Sequence, residues 1–406
     1  MKAAHSAGLV IAAGVVAAMH VGKLPPALPA LQQVLGVSLV QAGFLLALVQ
    51  LAGMTLGLPA GLLIQRHGPR RSMLAGLLVL SLASALGGAA QGAPGLLVSR
   101  VLEGLGFLCV VLPAPGLLRG MVAPERLSRA LGSWGAYMPL GAALAMLLGP
   151  WVMMQVEPTW GWRIWWWALS ALAALLAALV FRGVPADRTA LALGGSSVLP
   201  VAGVSSPEVL GLLRLTLKSR GVWLVAVCFA MYSGQWLAVV GFLPSIYAQA
   251  GLTAGNTAWL TALVAAVNII GNLAAGRLLH WGAAPLALLV AGFAAMGGGA
   301  VLAFGGDSNS WLRYLAVLAF SMVGGLIPAT LFSLAVRLAP SAATVPATVG
   351  WMQQWSAFGQ FCGPPLVAWV AAQMGHWQLT WAVTGACSLA GILLAWKLQS
   401  LLSRDH

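Results

Sequence analysis

Gln65-Arg66-His67-Gly68-Pro69-Arg70-Arg71 separates two apolar runs, 39–63 and 72–91. Each run has the roughly 20 residues that an α-helix needs to cross the hydrocarbon core of a bilayer. A short basic turn between two such runs reads as a helical hairpin whose loop lies at the cytoplasmic face. Ten further runs of similar length extend outward from it: 7–30, 95–118, 129–154, 161–182, 221–247, 256–279, 283–304, 312–335, 344–372 and 376–399. The pattern predicts an all-α membrane protein of twelve transmembrane helices.

Charge placement orients the bundle. Sixteen of the 20 Lys and Arg residues lie in alternate gaps or in the two tails. Arg66, Arg70 and Arg71 fill the second gap, and Arg119, Arg126 and Arg129 the fourth. The sixth holds Arg182, Arg188, Arg214, Lys218 and Arg220. Arg277 and Arg337 mark the eighth and tenth, and Lys2, Lys397 and Arg404 the tails. Basic residues stay on the inner side, so both termini are expected in the cytoplasm and the chain in the cell's inner (plasma) membrane. Only 7% of the residues are charged, against about a quarter in a soluble domain. The net charge of +13 therefore reads as topology signal and lipid-headgroup contact, not as a nucleic-acid surface. The four cysteines stand singly inside apolar runs, with no spacing that suggests a disulfide frame, a metal site or a cofactor. Residues from Met1 could be taken for a secretory signal, but the apolar run continues into Pro25-Pro26 without a small-residue cleavage site. A retained first helix is the better reading.

The chain divides in two. Residues 183–220 begin rich in Gly, Ser and Pro and end in an amphipathic stretch, Pro207 to Arg220, that suits the membrane surface. This linker separates a first six-helix half, 1–182, from a second, 221–406. At an offset of 215, Leu28-Pro29 falls on Leu243-Pro244, Gly36 on Gly251, Ser38 on Thr253 and Gly61 on Gly276. Near offset 218, Gly132 and Gly141 fall on Gly350 and Gly359. An ordered, nearly constant offset indicates a duplication, and repeated halves with a site between them are an architecture of secondary carriers.

The stretch from Gly61 to Arg71 resembles the helix 2–3 loop of the major facilitator superfamily, G-x-x-x-D-R-x-G-R-R. Gly61, Arg66, Gly68, Arg70 and Arg71 match, while Gln65 stands where the family has Asp. A shortened echo, Gly276-Arg277-Leu-Leu-His280-Trp281-Gly282, follows the eighth run, and Arg100-Val-Leu-Glu-Gly104 resembles the family's R-x-x-x-G motif. The resemblance implies a loop that holds the cytoplasmic side shut through arginine contacts to the other half, weakened here by Gln65. The motifs do not resolve the subfamily; the cyanate and nitroimidazole branch is one candidate. Gly350, Gly359, Gly363 and Pro364 fit a glycine pattern found in some family antiporters, and imply close helix packing more than antiport.

Of seven acidic residues, Glu103 alone lies well inside a run, and an intramembrane ionisable group is a functional candidate. Arg100 shares its helix face. Glu103 is either a proton-coupling group or half of a static buried pair. His20, mid-run, could shuttle a proton. Lys23 could attract an anion or snorkel to the outer headgroups. With Arg100 it would make a cavity positive, favouring a small organic anion. Tyr137, Tyr232, Gln235, Trp236, Asn268, Asn272, Gln353 and Gln354 are mid-run polar positions, suited to hydrogen-bonding a substrate or to joining helices. Trp160, Trp162, Trp165, Trp166 and Trp167 read as an interfacial aromatic belt. No motif for a membrane enzyme or an ATP-driven pump is present. The chain is expected to act as a monomeric, proton-coupled carrier of a small molecule in the lipid bilayer. Drug or metabolite efflux is the alternative.

Overall fold

The structure is a computed structural model that describes residues 2–187, 206–306 and 309–402. Helices make up the described residues, with no strand among them. In chain order they are α1 (Lys2–Gly22), α2 (Leu24–Leu35), α3 (Leu39–Ala47), α4 (Leu51–His67), α5 (Pro69–Gly88), α6 (Ala93–Val111), α7 (Ala114–Met121), α8 (Pro124–Gly135), α9 (Tyr137–Met153) and α10 (Pro158–Gly183). There follow α11 (Ser206–Lys218), α12 (Arg220–Gln249), α13 (Ala254–His280), α14 (Pro285–Phe304), α15 (Ser310–Gly324), α16 (Leu326–Arg337), α17 (Val345–Met374) and α18 (Thr380–Leu402).

Among the described residues, ten of the expected twelve spans, several built from two helices end to end, are long and apolar enough to cross a membrane. The other two fall short for physical reasons. The fifth is interrupted at Ala136, which leaves α9 with 17 residues. The eleventh, α17, has 30 residues but carries Gln353, Gln354, Gln360 and Gln373, which lower its hydropathy.

Local structure repeats where the sequence does. Gly36 and Gly251 both adopt positive φ, 62° and 82°, a conformation that glycine reaches without a Cβ penalty. Ser38 and Thr253 then cap α3 and α13 through their side-chain oxygens, satisfying a backbone N–H that the helix leaves unpaired. Packing repeats too. Helix α5 lies against α6 and α10 as α14 lies against α15 and α18, and α1 against α9 as α12 against α17. The α12–α17 contact is close because both partners lack a side chain: a Cβ on Gly234 would stand 2.6 Å from the Gly359 carbonyl oxygen.

Three contacts join the two groups of helices: α3 and α4 against α17, α9 against α13, and α2 against α12. The last lies at the end of the bundle away from the basic loops. At the opposite end, no comparable packing joins α7 to α16 among the described residues. Helix α11 exposes Leu210, Leu215 and Leu217.

Candidate functional site

The first span breaks where its chemistry sits. Pro25 and Pro26 have no N–H to offer the carbonyls one turn earlier, and Lys23 marks the joint between α1 and α2. Carbonyls near the break take side-chain donors instead: His20 O accepts from Arg100 Nη1 at 2.7 Å, and Lys23 O from the Trp165 indole at 3.3 Å.

The Lys23 side chain turns inward. Its Nζ donates to Glu103 Oε1 on α6 and to Ser84 Oγ on α5 at 2.7 Å, and lies 4.6 Å from the Trp166 ring centroid. Glu103 Oε2 accepts from Arg100 Nη1, and Arg100 Nε donates to Leu45 O on α3 at 2.9 Å. Ser84 Oγ in turn donates to Trp166 O at 2.8 Å. Lys23, Arg100 and Glu103 are all 0% exposed. A single carboxylate thus sits between two cations and ties together helices from spans one, two, three, four and six. With all three ionised the cluster keeps a surplus positive charge. Two of its polar atoms, Arg100 Nη2 and His20 Nε2, are buried with no hydrogen-bond partner among the described residues. His20 Nδ1 is held by Val16 O at 2.9 Å.

This geometry refines the sequence reading. Arg100 and Glu103 do share a face and pair. Lys23 does not snorkel; it is the second cation on Glu103, 80 residues away along the chain. Its partners all come from α1–α10, so the cluster is enclosed within that group of helices. Ser84 and Trp166 went unnoticed in the sequence. A serine in an apolar run was the only signal for the first, and the second was hidden in the tryptophan cluster. The aromatic-belt reading needs correction: Trp160 and Trp167 are exposed, but Trp162, Trp165 and Trp166 are buried, Trp166 beneath the Lys23 ammonium, Trp165 bonded to the Lys23 carbonyl and Trp162 edge-on against Trp166.

The second group of helices holds a neutral counterpart. Asn268 Nδ2 donates to Tyr232 Oη at 3.1 Å and to Ser321 O at 2.8 Å. Asn272 Nδ2 reaches Asn268 Oδ1 at 2.9 Å, and the Trp236 indole donates to Ser321 Oγ at 3.1 Å. Gln235 Oε1 accepts from Ser388 Oγ at 3.0 Å. Four of the expected positions, Tyr232, Trp236, Asn268 and Asn272, join through Ser321 across α12, α13 and α15, while Gln235 forms a separate pair with Ser388 on α18. Tyr137 lies elsewhere, stacked on Trp134 with ring centroids 4.4 Å apart. Gln353 is exposed.

Gln354 crosses between the groups. Its Nε2 donates to Met54 O at 2.7 Å and its Oε1 accepts from Leu58 N at 3.3 Å. One amide therefore spans the carbonyl and N–H of a single turn of α4. Nearby, Gln50 Nε2 donates to Gln360 Oε1 at 3.0 Å.

Residues 10–357 match the sequence profile of the Major Facilitator Superfamily. The chain belongs to that superfamily. Its relatives are transport proteins. The cyanate transport protein CynX of Escherichia coli (strain K12) is 25% identical over 374 residues, covering 91% of this chain and 90% of that protein. A chloramphenicol resistance protein of Streptomyces lividans is 30% identical over 376 residues, covering 89% and 86%. Among solved structures, a D-xylose–proton symporter superposes with a TM-score of 0.76 at 15% identity, covering 97% of each chain.

The superfamily's loop motif takes an unexpected form here. The side chains of Gln65 and Arg66, and any contact at Gly61, lie outside the described residues. Gly68 turns the chain with φ 98°. Arg70 was expected to reach the other half; it instead donates to Phe181 O and lies 5.2 Å from the Phe181 ring centroid, at the end of α10 in its own group. The reason is local, since α10 ends beside the start of α5. Arg71 is exposed. The Asp187 carboxylate accepts from the backbone N–H of Arg70 at 2.9 Å and of Arg71 at 3.3 Å. It caps α5 where the helix dipole favours a negative charge. Asp187 was not among the sequence candidates, because a linker aspartate gives no sign of which helix end it will meet.

Proposed function

We propose that this chain is a proton-coupled secondary transporter of a small organic anion. It works by alternating access between two six-helix halves, 1–182 and 221–406, joined by the 183–220 linker. Twelve spans, both termini in the cytoplasm, the inner membrane and a monomeric state complete the reading, and catalysis has no part in it. The observation that carries the proposal is the sealed Lys23–Glu103–Arg100 cluster, with its surplus cation and the unpartnered Arg100 Nη2. Protonating Glu103 would remove the anion that holds both cations, so proton binding and the disposition of positive charge are linked through one atom pair. An anionic solute offers the compensation that the protein lacks. The cyanate named for the E. coli relative is itself a small anion. Packing of α2 on α12, with no comparable packing of α7 on α16 among the described residues, fits a state open toward the basic loops. His20 is the second proton-handling candidate. Asn268, Asn272, Tyr232, Trp236 and Gln235 are the hydrogen-bonding wall, with Gln353, Gln354 and Tyr137 more distant candidates.

A second reading, efflux of a drug or metabolite, is favoured by the S. lividans resistance protein at 30% identity. A thermal-shift screen of the purified protein separates the two. Stabilisation by cyanate or small carboxylates, lost in Lys23→Ala, supports the anion reading. Stabilisation by amphenicols alone supports efflux.

A further inference from the structure

A groove of about 590 Å³ lies between the last turn of α11, the first turns of α12 and the last turns of α18. Its charged rim is Lys218, Arg220 and Lys397, with no carboxylate among its lining residues. None of these cations has an ion-pair partner among the described residues. Its wall is apolar, built from Trp223, Leu224 and Leu394. The corner that shapes it is fixed: the Trp223 indole donates to Leu217 O at 2.7 Å and packs edge-on against Trp351 at 5.0 Å. Just along α18, Leu393 and Trp396 are exposed, so the apolar wall continues onto the outer face of the bundle.

We propose that this groove binds an anionic phospholipid, its phosphate on the three cations and an acyl chain along α12 and α18. Two features select a lipid over a soluble anion. The cations stand at the helix ends, where a bilayer presents its phosphates. The apolar wall runs from them onto surface that acyl chains cover. A free phosphate would use the rim and leave the wall bare. The site lies apart from the Lys23–Glu103 cluster, and it rests on membrane placement, not on which solute is carried.

The test is native mass spectrometry of the full-length protein from nanodiscs of phosphatidylcholine with added phosphatidylglycerol. Wild type is expected to retain phosphatidylglycerol selectively. The triple variant Lys218→Gln/Arg220→Gln/Lys397→Gln should lose roughly tenfold to a hundredfold in that retention. A control, Arg119→Gln/Arg277→Gln/Arg337→Gln, should keep it. Trp223→Leu should weaken it while all three cations remain. Equal loss in the control variant would assign retention to general surface charge and overturn the proposal. So would competition by glycerol 1-phosphate at the lipid's own potency, which would assign the site to a soluble phosphate. Monodisperse gel filtration of each variant guards against misfolding. Should the triple variant fail that guard, Trp223→Leu and the three single substitutions decide in its place, and unchanged retention in all four overturns the proposal.

Discussion

Replacing Glu103 with Gln removes the anion from a sealed cluster and leaves Lys23 and Arg100 facing one another without it. All three side chains are 0% exposed, so bulk solvent does not reach them. Stripping one partner from a buried ion pair costs about 3–5 kcal/mol. The intact cluster carries two cations on one carboxylate, so the substitutions are not equivalent. Lys23→Met removes the surplus charge and leaves the Arg100–Glu103 pair intact, and should cost less than Glu103→Gln. The double variant Lys23→Met/Glu103→Gln leaves one cation, which retains its bonds to the carbonyls of His20 and Leu45. It should be more stable than the sum of the single losses implies, by a coupling energy of about 1–3 kcal/mol, as expected for residues in direct contact. Denaturant titration of the three variants and wild type in one detergent gives all the terms. A Lys23→Met loss equal to or larger than that of Glu103→Gln, or strict additivity in the double variant, would refute the shared-carboxylate account.

Gln354→Leu removes both hydrogen bonds to the α4 backbone. At about 1 kcal/mol for each bond, the arrangement with α17 against α4 should lose about 2 kcal/mol, a shift of roughly 30-fold in population; spin-label distances between α4 and α17 measure it, and an unchanged distribution rules it out. Gly359→Val puts a side chain into the Ala230 backbone and should abolish folded protein, whereas Gly132→Val, with nothing within 4 Å of its Cβ position, should express normally in the same fluorescence gel-filtration assay. Asp187→Ala removes the acceptor for two N–H groups of α5 and should cost about 0.5–2 kcal/mol, the usual loss for a helix cap; a thermal midpoint unchanged from wild type would contradict the capping role.

Much of this was legible in the chain because the controlling interactions are local. The Arg100–Glu103 pair acts within four residues, and the matched Gly36/Gly251 and Ser38/Thr253 positions, read as a repeat, proved to be local turns and caps. Periodicity places such groups on one face before any packing is known. Lys23 was left between an inward role and the outer headgroups because its partner depends on how α6 rotates and where the proline break turns the first span. Neither is encoded in spacing. Gln354 looked like one more polar residue for the same reason, since its role comes from a backbone turn 300 residues away. The tryptophans misled differently. Composition assigns them to the membrane surface, but the buried Lys23 offers the Trp166 face a competing partner, and Trp162 and Trp165 are buried beside it.

The central claim is that proton binding at Glu103 is coupled to movement of a small anion. Purified protein in liposomes, given labelled cyanate or a small carboxylate and an imposed pH gradient, tests it directly. The account predicts saturable accumulation that collapses when the gradient is dissipated, and Glu103→Gln vesicles that exchange the anion but do not concentrate it. Gradient-driven accumulation of equal size in wild type and Glu103→Gln would contradict it.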